Sequence, residues 1–177
     1  MPPRIARALT WPVVLALLAL AGCGGGSHAP ATSASAARAP AALNPHAPLT
    51  QEAAEQVLRA HSYSGIVRGE HVYRPGQPFK VVVGIREMAA DVPGQKAFFF
   101  VGDRFVGTDT PDVSGEVAIV RQRDDEITLR YVLYRPADGM SLPLGGHAQV
   151  TYRWNGTRVV PEGRIPSSVW GAALSRR

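Results

Sequence analysis

Val150-Thr151-Tyr152-Arg153-Trp154-Asn155-Gly156-Thr157-Arg158-Val159-Val160 carries the clearest folding instruction in the chain. Val150, Tyr152 and Trp154 alternate with polar residues, the period of two that a half-buried strand requires. Asn155-Gly156 tolerates positive φ at both positions, so a two-residue type I′ turn is predicted there, with Thr157 to Val160 returning as the partner strand. Upstream the pattern repeats. Ile127, Leu129, Tyr131 and Leu133 alternate within a predicted strand over 127–134, and a polar Asp124-Asp125 turn joins it to a strand over 117–122. Ala97 to Val101 and Arg104 to Thr108 flank Gly102-Asp103, whose leading glycine suits a two-residue type II′ hairpin.

Two strands are apolar on both faces, at Val81-Val82-Val83 and Phe98-Phe99-Phe100. A half-solvated strand alternates, so both are expected to be central strands covered on each side. The other reading of this feature is an apolar groove for a lipid or small ligand, with the Phe98 to Phe100 face as its wall. Ahead of these strands, Thr50 can cap a helix over about 50–61, with Glu52 in its first turn and Ala53, Val57, Leu58 and Ala60 as its apolar side. His61-Ser62-Tyr63-Ser64-Gly65 ends it. The expectation is an α+β fold, mainly antiparallel β-sheet of six to seven strands in hairpins, with one N-terminal helix packed on a face.

The N-terminal segment reads as an export signal. Arg4 and Arg7 form a positive region, and Trp11 to Ala21 is an uncharged apolar stretch of 11 residues. A spanning helix needs about 20 apolar residues, whereas the apolar core of a signal peptide needs only about 7 to 15. Leu20-Ala21-Gly22-Cys23 resembles a lipobox, in which a branched apolar residue and two small ones precede the cysteine that takes a diacylglyceryl thioether. Cys23 is the only cysteine in 177 residues, and a lone exposed thiol is a liability in an oxidising compartment. Residues 1–23 are therefore read as signal peptide and lipobox, with the acylated Cys23 holding the chain to membrane lipid on the extracytoplasmic face of the cell membrane. From Gly24 to Leu49 the composition turns to Gly, Ala, Pro, Ser and Thr, which cannot bury enough surface to offset chain entropy, so 24–49 is expected to be a disordered spacer. Residues 50–177 are expected to form a single β-rich domain.

The formal charge of +5 suggests a nucleic-acid footprint until it is apportioned. Arg4, Arg7 and Arg38 precede Thr50, leaving 16 basic and 14 acidic residues in the domain, with no basic run beyond Arg176-Arg177. Nucleic acid is excluded as a partner on that balance.

Phe98 to Thr108, the Val150 to Gly156 hairpin and Ile165-Pro166, following a lipoprotein signal and a spacer, resemble the LppP/LprE family of actinobacterial lipoproteins. The resemblance covers roughly Phe98 to Pro166. Family members often carry a cysteine pair ahead of the final hairpin, and here that region, Ala137 to Leu144, contains none. The resemblance implies a cell-envelope location. It brings no catalytic residue with it.

Residues able to carry chemistry are scattered. His61, His71 and His147 are isolated and fit no zinc spacing, so no metal or cofactor is expected. Ser114 lies in Asp112-Val113-Ser114-Gly115-Glu116, which lacks the first glycine of a nucleophile elbow. Gly24-Gly25-Gly26 directly follows the cysteine and is spacer. Asp124, Asp125 and Glu126 occupy a predicted turn, where carboxylates are ordinarily solvated. The leading expectation is a non-catalytic module that binds an envelope protein or wall component through its loops. The alternatives are a carrier or sensor of a small apolar ligand and, last, a hydrolase.

Overall fold

The structure is a computed structural model and describes residues 42–66, 76–86, 94–139 and 141–177. Thr50 caps helix α1 (Gln51–Ala60), its hydroxyl accepting the Ala53 N–H at 3.1 Å. Glu52 in the first turn and Arg59 in the last both complement the helix dipole. The helix stops as expected near His61: Ser62 adopts φ 64°, and the N–H groups of Ser62 and Tyr63 close back on the Arg59 and Leu58 carbonyls.

Seven strands follow: β1 (Phe79–Arg86), β2 (Gly94–Val101), β3 (Arg104–Thr108), β4 (Val117–Gln122), β5 (Glu126–Val132), β6 (His147–Trp154) and β7 (Val159–Glu162). All pairings are antiparallel, in a sheet A of order β1-β2-β3 and a sheet B of order β4-β5-β6-β7. One core lies between the sheets. Phe79, Val81, Val83 and Phe99 from sheet A meet Ile119, Ile127, Leu129, Tyr131, Val150 and Tyr152 from sheet B. A second core lies on the far side of sheet A, where Val82, Phe98 and Phe100 meet Leu49, Ala54, Leu58 and Tyr63. The fold is α+β and mainly antiparallel, as the strand patterns imply.

Three expectations are corrected. First, Phe98 to Phe100 do lie on the central strand of sheet A, but Val81 to Val83 lie on β1, an edge in strand order. Layers above and below bury β1 on both faces, and coverage by layers does not require a strand on each side. Its free edge is met in part by residues 64–66, with Ser64 N–H bonded to the Ile85 carbonyl and Ile66 bridging Gly84.

Second, the final hairpin has a four-residue connection. Trp154 pairs with Val159, so the return begins at Val159 and not at Thr157. Gly156 takes φ 93°, but Asn155 stays at negative φ and uses its side-chain oxygen to accept the Thr157 and Arg158 N–H groups. That local side-chain bond replaces the type I′ turn. By contrast, Val101 pairs with Arg104 across Gly102-Asp103, and only Gly102 has positive φ, as a type II′ turn requires.

Third, the described part of the expected spacer, residues 42–49, packs on the sheets. Leu49 is buried in the helix-side core and Leu43 lies against the inter-sheet core. The backbone there crosses the β2–β3 turn so closely that a Cβ at Gly102 would overlap the Asn44 carbonyl oxygen. The buried Lys80 Nζ fastens the crossing, donating to the carbonyls of Ala47 at 3.2 Å and Gly102 at 3.0 Å. Composition hid this because two leucines suffice when they fall on existing cores.

Candidate functional site

The loops that leave the end of sheet B opposite the Asn155 connection form the most unusual surface. Beyond β5 the chain runs out at Leu133-Tyr134 and returns through Gly145-Gly146, held by Leu133 N–H to the Gly146 carbonyl and Gly145 N–H to the Leu133 carbonyl. Within this loop Asp138 accepts the N–H groups of Arg135 and Leu144, both at 2.7 Å, and the Arg135 bond foremost holds its pKa below the usual carboxylate range. Leu142 and Leu144 are left exposed, at 63% and 55%.

A second loop stands beside the first. Tyr134 and Ser175 exchange backbone hydrogen bonds at 2.7 and 2.9 Å, and Arg176 N–H reaches the Ser167 carbonyl at 2.8 Å. Between these anchors Val169, Trp170 and Leu174 project at 65%, 58% and 45% exposure. The anchor is Arg176, whose guanidinium is buried and donates to the carbonyls of Asp112, Val113 and Pro166 and to Ser114 Oγ. Five of the six large apolar side chains exposed among the described residues therefore sit on two loops tied to one ladder; the sixth is Val120. Sequence reasoning missed this end. Arg176 looks like a solvated tail residue until its partners, more than 60 residues away in sequence for Asp112 to Ser114, are known.

A buried polar cluster lies deeper. Asp109, just past β3, accepts Ala97 N–H at 3.0 Å and the Tyr131 hydroxyl at 2.8 Å, and Tyr131 and Tyr152 share a hydrogen bond of 2.7 Å. Burial pushes the Asp109 carboxyl up to about 6, against the hydrogen bonds that oppose the shift. Burial also raises Tyr131 and Tyr152, so both remain neutral donors and acceptors. The cluster ties the two sheets together.

The residues singled out from sequence are dispersed. Cys23, Leu20, Ala21, Gly22 and His71 lie outside the described residues. Ser114 is buried against a guanidinium, which cannot take its proton. His61 packs its ring on Phe98 and Phe105 at 5.7 and 5.0 Å, and His147 is exposed at the start of β6. Asp125 and Glu126 each bond Arg153 at 2.9 Å, and Glu126 also holds Arg121 at 2.6 Å, so both are spent in ion pairs. Among the described residues, no three potential metal ligands converge. The Phe98 to Phe100 face proposed as a groove wall is core: all three rings have 0% exposure, with Phe98 against Tyr63 at 5.1 Å and Phe99 against Tyr152 at 5.0 Å.

Fold and site together define a small β-sheet scaffold that presents exposed apolar side chains on two loops at one end. Residues 71–157 match the LppP/LprE lipoprotein family, the same family that the two hairpin segments resemble. That match associates the chain with the lipoproteins of the cell envelope. It stops at the Asn155 connection, so the Val169-Trp170 loop lies beyond it. No curated protein and no solved structure matches the chain. Among the described residues, no helix is long and apolar enough to cross a membrane.

Proposed function

We propose that the chain is a membrane-anchored cell-envelope lipoprotein, acylated at Cys23 and held on the extracytoplasmic face of the cell membrane, whose folded part is a non-catalytic binding module. Its contact surface is the loop end bearing Leu142, Leu144, Val169, Trp170 and Leu174, and its partner is an envelope protein or wall component. The observation that carries the reading is the gathering of exposed apolar side chains on two loops that are themselves rigidly tied. Scattered exposed apolar residues need no explanation, whereas five gathered on two neighbouring anchored loops favour an interaction site. Hot-spot statistics favour tryptophan at such a position.

A photo-crosslinking residue placed at position 170 of the intact lipoprotein, compared with one at position 120, tests the surface. A discrete adduct from 170 and none from 120 is the expected result; equal adducts from both, or none, would remove the loop end from consideration. Metabolic labelling with an acyl precursor tests the anchor separately. Label retained after Cys23→Ser would sink the lipid assignment.

A further inference from the structure

Sheet topology sets the loop end and the incoming chain at opposite ends of the strands. Phe79 N–H at the start of β1 donates to the Asp124 carbonyl at 3.2 Å, and the Gln122 amide donates to the Phe79 carbonyl at 3.1 Å, so β1 begins beside the β4–β5 turn. Phe79 also pairs with Val101, which puts the β2–β3 turn at the same end. Trp154 N–H reaches the Asp125 carbonyl at 2.9 Å, so the Asn155 connection lies there too. At this end residues 42–47 cross Gly102 and are held by Lys80. The other end of β2 lies at Gln95, which exchanges backbone hydrogen bonds with Ser114, and Ser114 meets the buried Arg176 guanidinium that anchors the second apolar loop. A strand rises about 3.3 Å per residue, so Gln95 and Val101 stand about 20 Å apart along β2.

Direction follows from where the chain enters. Residues 24–41 separate Cys23 from the first described residue, and at about 3.3–3.6 Å each they reach at most about 60 Å. An anchor at Cys23 draws the entry end toward the bilayer. Contact of the loops with that same bilayer would need the domain to turn over, with about 20 Å or more of this reach running back beside it. The loops also differ from a saccharide site, where free polar groups fix the ligand's orientation. Asp138 already takes two backbone N–H groups, Asp112 takes the Ser168 hydroxyl at 2.7 Å, and Ser167 Oγ takes the Val169 N–H at 3.1 Å. Three leucines, a valine and a tryptophan stay outward, the composition of the centre of a protein–protein contact. Given the lipid anchor and the loop-end surface, on which this rests, we propose that the loop end faces away from the bilayer that holds Cys23 and receives there an apolar patch on another envelope protein.

The test of direction uses the lipidated full chain, in which Cys23 is the only native cysteine and is acylated, so an introduced thiol takes the dye alone. Trp170→Cys and Thr157→Cys, both at exposed positions and one at each end, carry the same donor and are added to phosphatidylcholine–phosphatidylglycerol vesicles with a headgroup-labelled acceptor. Energy transfer severalfold higher from position 157 than from position 170 is expected. Equal transfer, or more from 170, overturns the direction, and transfer from neither overturns the anchor and the proposal with it. The partner is read from the photo-adduct at position 170 in intact cells. Peptides of another envelope protein are expected in it, with the yield cut severalfold by Leu142→Asp on the neighbouring loop. An adduct sensitive to a muramidase, an adduct with lipid, a joined pair of this chain, or a yield unmoved by Leu142→Asp would each overturn the partner assignment. Absence of any adduct removes the loop-end surface itself, while the energy transfer still decides direction.

Discussion

Sheet A meets a hydrophobic core on both faces and sheet B on one, and the side chains of their inner strands differ to match. Along β2 every residue from Ala97 to Val101 is buried, with odd and even positions serving different cores. Along β5 one set, Ile127, Leu129 and Tyr131, fills a core, while the other, Thr128, Arg130 and Val132, is covered without joining a hydrophobic core. The difference teaches that a run of phenylalanines records the number of layers stacked on a strand. It does not record the strand's place within its sheet, since β1 has the same double burial at an edge.

The largest effect that could break this comparison is at the helix-side core. Phe98→Ala should cost about 3–5 kcal/mol in denaturant unfolding, the usual cost of removing a packed phenyl ring. A cost of about 1 kcal/mol or less would mean that the second face of sheet A is surface.

Next comes the contact between the sheets, through Asp109. Its carboxyl is raised to about 6 when folded, against 3.8 as the ordinary value, so between these pH values the folded state binds the extra proton. Stability from this group is therefore full below about pH 4 and is lost as pH rises through 6, by about 3 kcal/mol for a shift of this size. Tyr131, Tyr152 and Arg176 bear on the same carboxyl, with Lys96 and Tyr63 also within its field. Unfolding at pH 4.5 and 7.5 measures the change, and Asp109→Asn should flatten the difference between the two.

At the edge of sheet B the effects shrink. Gly156→Val should cost about 1 kcal/mol by thermal unfolding, because φ 93° is strained for a side chain although nothing lies within 4 Å of the added Cβ. An unchanged melt would mean that the connection relaxes freely. Smallest is Thr128→Val, which should lose about 0.5 kcal/mol by breaking the hydroxyl pair with Thr151. A gain in stability would instead show that the outer face of sheet B behaves as core.

Local pattern made much of this legible. The alternation of β5 and β6, the Thr50 cap and the Gly102-Asp103 turn depend on neighbours in sequence, and each was readable from them. The Asn155-Gly156 letters permit two turns, and the choice between them rests on which donor the Asn155 side chain finds. The loop end was hidden for a different reason. Its stability comes from Arg176 reaching backbone carbonyls at Asp112 and Val113, which leave no trace in composition or period. Asp109 was equally silent: an aspartate after a strand looks like a turn residue until the tyrosines beneath it are known.

The crossing of residues 42–47 over the β2–β3 turn has a mechanical consequence. A pull exerted on the chain from its N-terminal side arrives at this crossing before it reaches α1. The Lys80 ammonium, with two carbonyls in its grip, and the glycine at 102, which lets the backbones nest, then act as a cleat on which the line is made fast. Load is taken first by these contacts, which pass it to β1 and the β2–β3 turn, and α1 is spared until the cleat lets go.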